Sequence, residues 1–210
     1  VKSIFGSLCG CVDKEMRAVY IVVRISVYWG SPSGASLFYG VIGDMLERTL
    51  QENPLYIEYE PLLAQLGLTI VEIAQANRRE GVNVVIIILA REGETTVDQC
   101  ADVYRLVFPR MQLALGERDL SLEVSTPGLE RSFKDLYEFT LFAGRRVRVY
   151  DSGRSAWVSG IIEAAQEESV VLSEVFVEEK NKKTERMNIV YSAIQKAKLD
   201  YRWEDERHGN

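Results

Sequence analysis

From residue 46 onward the apolar positions follow two rhythms, one near 3.6 residues and one of two, and their succession predicts the elements. Over 45–67, Leu46, Leu50, Ile57, Leu62, Leu63 and Leu66 fit a helix better than a strand. Pro54 and Pro61 interrupt that stretch, so the pattern predicts a short first turn, then a main helix stopping at Gly67. Leu68-Thr69-Ile70-Val71-Glu72-Ile73-Ala74 reads as a strand on its β-branched content. The polar stretch 75–81 is a hairpin connection, and 82–89 is a strand so continuously apolar that both of its faces need cover. After Glu92-Gly93-Glu94, Thr96 and Gln99 have the spacing of a capping box. The helix they open carries Val97, Cys100, Ala101, Tyr104, Val107 and Phe108 on one side, and Pro109 should kink or split it before Leu115. Ser121-Leu122-Glu123-Val124-Ser125 is a third strand. The order αββαβ makes 45–127 an N-terminal α+β domain with both helices on one sheet face.

The second half has a shorter beat. Asp135 and Glu138 flank the start of a helix over 136–143 that Gly144 closes. Arg145-Arg146-Val147-Arg148-Val149-Tyr150 alternates basic and apolar residues, the pattern of a half-buried strand. Strands follow over 156–164, 169–176, 185–191 and 195–199, and Gly160 within an apolar run marks a bend or bulge. Behind a linker and short helix at 128–144, five close-set strands over 145–203 predict a small closed barrel, with a tail at 204–210.

Residues 1–44 stand apart. Their apolar run from Ala18 to Trp29 is broken by Arg24 and falls short of the roughly 20 residues of a membrane helix. Asp13-Lys14-Glu15 ahead of it, and no small-residue cleavage site behind it, do not fit a signal peptide. The chain opens on Val1, and Met45 begins the helical stretch. We therefore read 1–44 as an extension outside the native protein, with Met45 as its expected start. Cys9-Gly10-Cys11 has no Cys/His pair at ligand spacing to complete a metal site.

Charge sharpens the division. The whole chain carries −6, but 45–127 holds seven Lys/Arg against thirteen Asp/Glu, whereas 128–210 holds fourteen against fifteen. An acidic half suits a basic protein partner; if RNA is touched, the dense mixture of the second half is the better side. Three cysteines fit a reducing cytosol, and a single histidine, His208 near the end, disfavours imidazole catalysis.

Leu122-Glu123-Val124-Ser125-Thr126-Pro127-Gly128-Leu129-Glu130-Arg131 is the most informative stretch. A strand ends in Ser125-Thr126, Pro127-Gly128 makes a tight turn with the glycine free to take positive φ, and Arg131 emerges beside it. On its residues alone this is first a rigid elbow between domains. Its hydroxyls, N–H groups and guanidinium are also a set able to hold phosphate or carboxylate.

The stretch resembles the RimP family signature L-E-V-S-S-P-G-L-D-R. Val97-Asp98-Gln99-Cys100-Ala101-Asp102-Val103 is similar to that family's V-D-D-C-A-D-V, Ile194-Gln195-Lys196-Ala197-Lys198-Leu199 to its I-x-K-A-x-L, and Ala64-Gln65-Leu66-Gly67-Leu68 to the end of its first helix. The resemblance runs in order from Met45 to Trp203. Departures are 1–44, Pro109 where the family helix is usually unbroken, and a longer, more charged loop at 178–186. The resemblance implies an α+β domain followed by an Sm-like (SH3-like) barrel, in a cytoplasmic, non-catalytic ribosome maturation factor. It implies as partners the immature small (30S) subunit, through ribosomal RNA and the twelfth small-subunit protein, with no cofactor, membrane or small-molecule substrate. Carried over by position, Ser125, Thr126, Pro127, Gly128, Arg131, Asp98 and Asp102 become candidates for partner contact.

Three further features bear on binding. Arg145, Arg146 and Arg148 face phosphates if they point outward; otherwise they are a solvated strand face. Lys180, Lys182, Lys183 and Arg186 crowd one hairpin loop, diluted by Glu178, Glu179 and Glu185. Tyr150, Trp157, Tyr201 and Trp203 offer rings for bases, although Trp157 reads better as barrel core. The alternatives to assembly are a general Sm-like binder of small RNAs, which a uniformly basic rim would mark, and a hydrolase using Ser125 or Thr126, which lacks a nearby histidine, a metal-ligand set and a phosphate loop.

Overall fold

The structure, a computed structural model, describes residues 22–23, 46–79, 81–179 and 182–201. The expectations about Cys9, Cys11, Met45, Lys180, Trp203, His208 and the tail lie outside these residues, as does the extension 1–44 apart from Val22 and Val23.

A 3-10 turn, Leu50–Glu52, leads into α1 (Pro54–Ala64). The Asn53 side chain accepts the Leu55 N–H at 2.9 Å, and Pro54 fills the first position, where a missing N–H costs nothing. Pro61 stays inside α1 instead of breaking it. It lies on the exposed side with Ile57, whose carbonyl loses its donor. Gly67, at φ +71°, reverses the chain into β2 (Leu68–Asn77), which pairs antiparallel with β3 (Gly81–Ala90). These strands run further than expected, and only residues 78–80 are left between them.

The capping box is formed: the Thr96 hydroxyl accepts the Gln99 N–H, and the Gln99 side chain accepts the Thr96 N–H at 2.8 Å. It opens α2 (Val97–Leu115), one continuous helix that Pro109 does not split. Its buried stripe is Cys100, Val103, Val107 and Met111, a cleaner helical period than the expected set; Val97 is 43% exposed. Pro109 falls on the opposite, exposed side, so packing of that stripe outweighs the lost hydrogen bond.

β4 (Asp119–Ser125) lies parallel to β3, and the two-residue β1 (Val22–Val23) pairs antiparallel with β4, giving the order β1-β4-β3-β2. Both helices deliver their buried residues to one core with Ile70, Ile86, Ile88 and Val124. The period of two on β3 sends Ile87 and Leu89 the other way, where with Val71 they join the core of the second half. That is how the apolar strand has both faces covered.

The second half holds α3 (Glu138–Leu141), shorter than expected, then β5 (Arg146–Asp151), β6 (Ala156–Ala165), β7 (Ser169–Val177), β8 (Lys182–Val190) and β9 (Ile194–Leu199). All paired neighbours are antiparallel, in the order β8-β7-β6-β5-β9. Among the described residues no β8–β9 pairing closes the sheet, so the chain is a mixed α+β protein with two sheets. Gly160 sits opposite a two-residue bulge, Glu174 and Val175, with Glu174 at φ +48°. A Cβ at Gly160 would lie 2.9 Å from the Ser173 carbonyl oxygen, so only glycine permits that approach. Phe133, Phe139 and Phe142 seal the core over Val147, Val149, Val158, Leu172 and Ile194.

Candidate functional site

The signature stretch begins where β4 ends. Ser125 is buried, and Thr126, Pro127 and Gly128 are half-buried. The turn falls later than expected: the Arg131 N–H donates to the Gly128 carbonyl at 3.1 Å, which puts Leu129 and Glu130 at its centre, and Gly128 is not in the positive-φ region. Arg131 does not emerge. It is buried, its Nε donating to Glu138 Oε2 at 2.5 Å and its Nη2 to Glu138 Oε1 at 3.1 Å and Glu72 Oε2 at 2.9 Å. Lys134 Nζ holds the second oxygen of Glu72 at 2.7 Å, and the Lys134 backbone N–H donates to Glu138 at 2.8 Å. Burial pushes the Glu72 carboxyl up, but the Lys134 hydrogen bond and the charges of Arg131 and Lys134 outweigh it and hold the group below the usual carboxylate range. Burial likewise works against the Arg131 cation, and its two carboxylates more than restore it. An arginine satisfied in this way is not open to an external phosphate. It ties β2 of the first sheet to α3 of the second half.

The neighbouring Asp135 makes a second tie. Its Oδ2 accepts the Thr49 and Leu50 N–H groups at 2.7 and 2.8 Å, and its Oδ1 accepts that of Tyr137 at 2.7 Å. Arg48 lies over the Tyr191 ring at 5.6 Å. Leu46 also packs on the second core, so the segment before α1 is bound to the second half.

The exposed chemistry lies on the outward face of the second sheet. On β5, Val147 and Val149 point into the core, so Arg146, Arg148 and Tyr150 point out. Register then assembles a group: Tyr150 stands opposite Trp157 on β6 and Lys196 on β9, and Arg148 opposite Ser159 and Lys198. The Arg148 guanidinium lies 4.7 Å over the Trp157 ring, and Tyr150 meets Trp157 edge-on at 5.4 Å. Arg148 Nη2 donates to Glu178 at 2.5 Å, whereas its Nε is buried with no hydrogen-bond partner among the described residues. The Trp157 backbone N–H donates to the Glu179 carboxylate at 3.1 Å, Arg146 pairs with Glu174 at 2.9 Å, and Lys198 with Glu130 at 3.2 Å. Trp157 is therefore not barrel core: it is one position out of phase with Val158 and stays outside.

The other candidates are dispersed. Arg145 is exposed just before β5. Lys182 and Lys183 stand on β8, an edge strand, because the connection is shorter than expected; Arg186 pairs with Glu163 at 2.7 Å. Asp98 and Asp102 are exposed on α2, with Asp102 bound to Arg105. Lys196 and Lys198 escaped sequence reasoning as site residues, because only the β5–β9 pairing brings them beside Arg148 and Tyr150. Among the described residues no helix is long and apolar enough to cross a membrane.

The family model of the RimP N-terminal domain matches residues 58–130, from α1 through the turn before Arg131. The ribosome maturation factor RimP of Borrelia turicatae is 26% identical over 152 residues, spanning 72% of this chain and 98% of that protein. The chain is similar to the RimP family. A further RimP, from Borrelia hermsii, is 28% identical over 138 residues, 64% of this chain and 86% of that protein. Among solved structures, a novel Sm-like archaeal protein from Pyrobaculum aerophilum is 24% identical over 35% of this chain and 56% of its own, at a TM-score of 0.29. The Arg131 tie thus connects the matched region, through Glu72, to the half that follows it, and the Asp135 tie binds the segment that precedes the matched region.

Proposed function

We propose that this chain is a RimP-family ribosome maturation factor that binds the immature small (30S) ribosomal subunit in the cytoplasm and catalyses no reaction of its own. The observation that carries the reading is the outward face of the second sheet, where Arg148, Tyr150, Trp157 and Lys196 come together with Arg146 and Lys198 at their sides. Cations beside half-buried rings give ribosomal RNA both of the contacts it recognises, phosphate pairing and base stacking. The acidic first half, with Asp98 and Asp102 exposed on α2, suits a basic protein partner, which the family resemblance identifies as the twelfth small-subunit protein. Contacts of this charged kind accelerate encounter and still allow release, as an assembly factor requires. In this reading the second sheet is an Sm-like module and 128–144 is the linker, stiffened by Arg131.

Co-sedimentation of the chain with small subunits, large subunits and assembled ribosomes at two salt concentrations tests it. Selective recovery with small subunits is expected. Equal recovery with all three, vanishing as salt rises, would make the protein a general RNA binder instead.

A further inference from the structure

Arg131 and Arg148 are used differently. Arg131 engages Nε and Nη2 with both oxygens of Glu138, the bidentate fit a guanidinium fork is built for. Among the described residues Arg148 engages Glu178 through Nη2 alone, and its Nε, buried beside the rings, meets no acceptor. A phosphate, with its several oxygens, can serve both nitrogens. The Glu178 backbone N–H donates to the Trp157 carbonyl at 3.0 Å, but its carboxylate is held by an open pair. Glu178 belongs to the connection after β7, its side chain is 34% exposed and that of Arg148 31%, and an ion pair this open adds little to stability. Tyr150 and Trp157 lie on the solvent side of the sheet, outside the second core, so packing of that core does not account for them.

We propose that Arg148 and Trp157 form a docking point for single-stranded RNA, and that Glu178 is an internal stand-in for phosphate which the strand displaces. The idea rests on the functional reading above and deepens it by naming the RNA form and the group that yields. A backbone phosphate takes the guanidinium, a base joins the Tyr150–Trp157 group, and Lys196 and Lys198 on β9 continue the cationic track. Only an unpaired strand can offer such a base, since duplex bases are already stacked on one another.

The test is fluorescence anisotropy of the full chain with a short labelled single-stranded RNA of mixed sequence, and with the same RNA annealed to its complement. The single strand is expected to bind better. Glu178→Gln should tighten binding several-fold, whereas Glu163→Gln, which removes the same charge from the partner of Arg186, should have much less effect. Trp157→Leu should weaken binding by about tenfold or more, as loss of one stacked base does, with Trp157→Phe recovering most of it. Arg148→Gln should lower the slope of log affinity against log salt by about 1. Thermal melts establish that each variant is folded, and the phenylalanine variant keeps the test decisive if the leucine variant is not. Equal tightening by the two glutamine variants, no change on losing the indole, or no binding by the wild type would overturn the inference. Selective small-subunit co-sedimentation without an RNA response would sink this inference alone. The expected RNA response without subunit selectivity would sink the ribosome reading and leave the docking point standing.

Discussion

Replacing Arg131 by methionine should cost far more than the loss of an exposed charge. Glu138 has no exposed surface and three hydrogen bonds, two from Arg131 and one from the Lys134 backbone. The substitution removes the two that carry positive charge and leaves a buried carboxylate with a single neutral donor. Removing one partner of such a pair costs about 3–5 kcal/mol. Glu72 adds little to that figure, since it keeps Lys134 at 2.7 Å. With total stabilities of about 5–15 kcal/mol, the variant would lose a large share. The assay is urea unfolding at neutral pH followed by circular dichroism. At a slope of about 2 kcal/mol/M, the midpoint should fall by about 2 M. A second variant separates charge burial from simple loss of packing: Arg131→Met combined with Glu138→Leu removes the stranded carboxylate and should recover most of the loss. A single-variant loss below about 1 kcal/mol, or a double variant no more stable than the single one, would refute the tie.

Other outcomes follow from the same contacts. Because the Glu72 carboxyl is held below its ordinary value of 4.5, its contribution to stability is fully present above that value and is lost as pH falls through the lowered one. Lys134→Gln should shrink this acid-side loss in melts run from neutral pH down to about pH 3; an unchanged profile would contradict the assignment. Gly160→Ala would set a Cβ 2.9 Å from the Ser173 oxygen and 3.1 Å from Leu172 Cβ, so a loss of about 1–3 kcal/mol in chemical unfolding is expected, and none would mean that the bulge relaxes freely. Thr96→Ala removes half of the capping box and should cost about 1 kcal/mol by the same measurement.

Much of this could be read from local pattern. The alternation of Arg146, Val147, Arg148, Val149 and Tyr150 assigns inward and outward faces without knowledge of any neighbour, and the Thr96–Gln99 spacing marks the start of α2. Gly160 announces its bulge because only a close backbone approach excludes a Cβ there. The proline expectations failed for one shared reason. Pro61 and Pro109 both fall on exposed helix sides, where the packing of the opposite stripe decides. Trp157 was misplaced because neighbouring apolar residues blur the strand phase that Val158 and Ile162 define. Arg131 was misread for a deeper reason. Its partner Glu72 is 59 residues away on β2, and no local spacing encodes that meeting.

The placement of the two arginines gives the binding proposal its physical logic. A protein that grips a basic ribosomal protein with one half and RNA with the other gains from both grips at once only if the halves keep a fixed relation; otherwise each contact bears its own ordering cost. The signature stretch meets that need by turning inward. Pro127 and the turn after it bring Arg131 back onto Glu72 of the first sheet and Glu138 of the second half, while Asp135 binds the segment before α1. Arg148 remains on the outside, with half of its fork unused among the described residues. In this view the signature contributes to binding by setting where Arg148, Trp157 and the acidic first half stand relative to one another. Substitutions at Arg131 should then weaken subunit association in proportion to the stability they remove, whereas substitutions at Arg148 should weaken it with the fold intact.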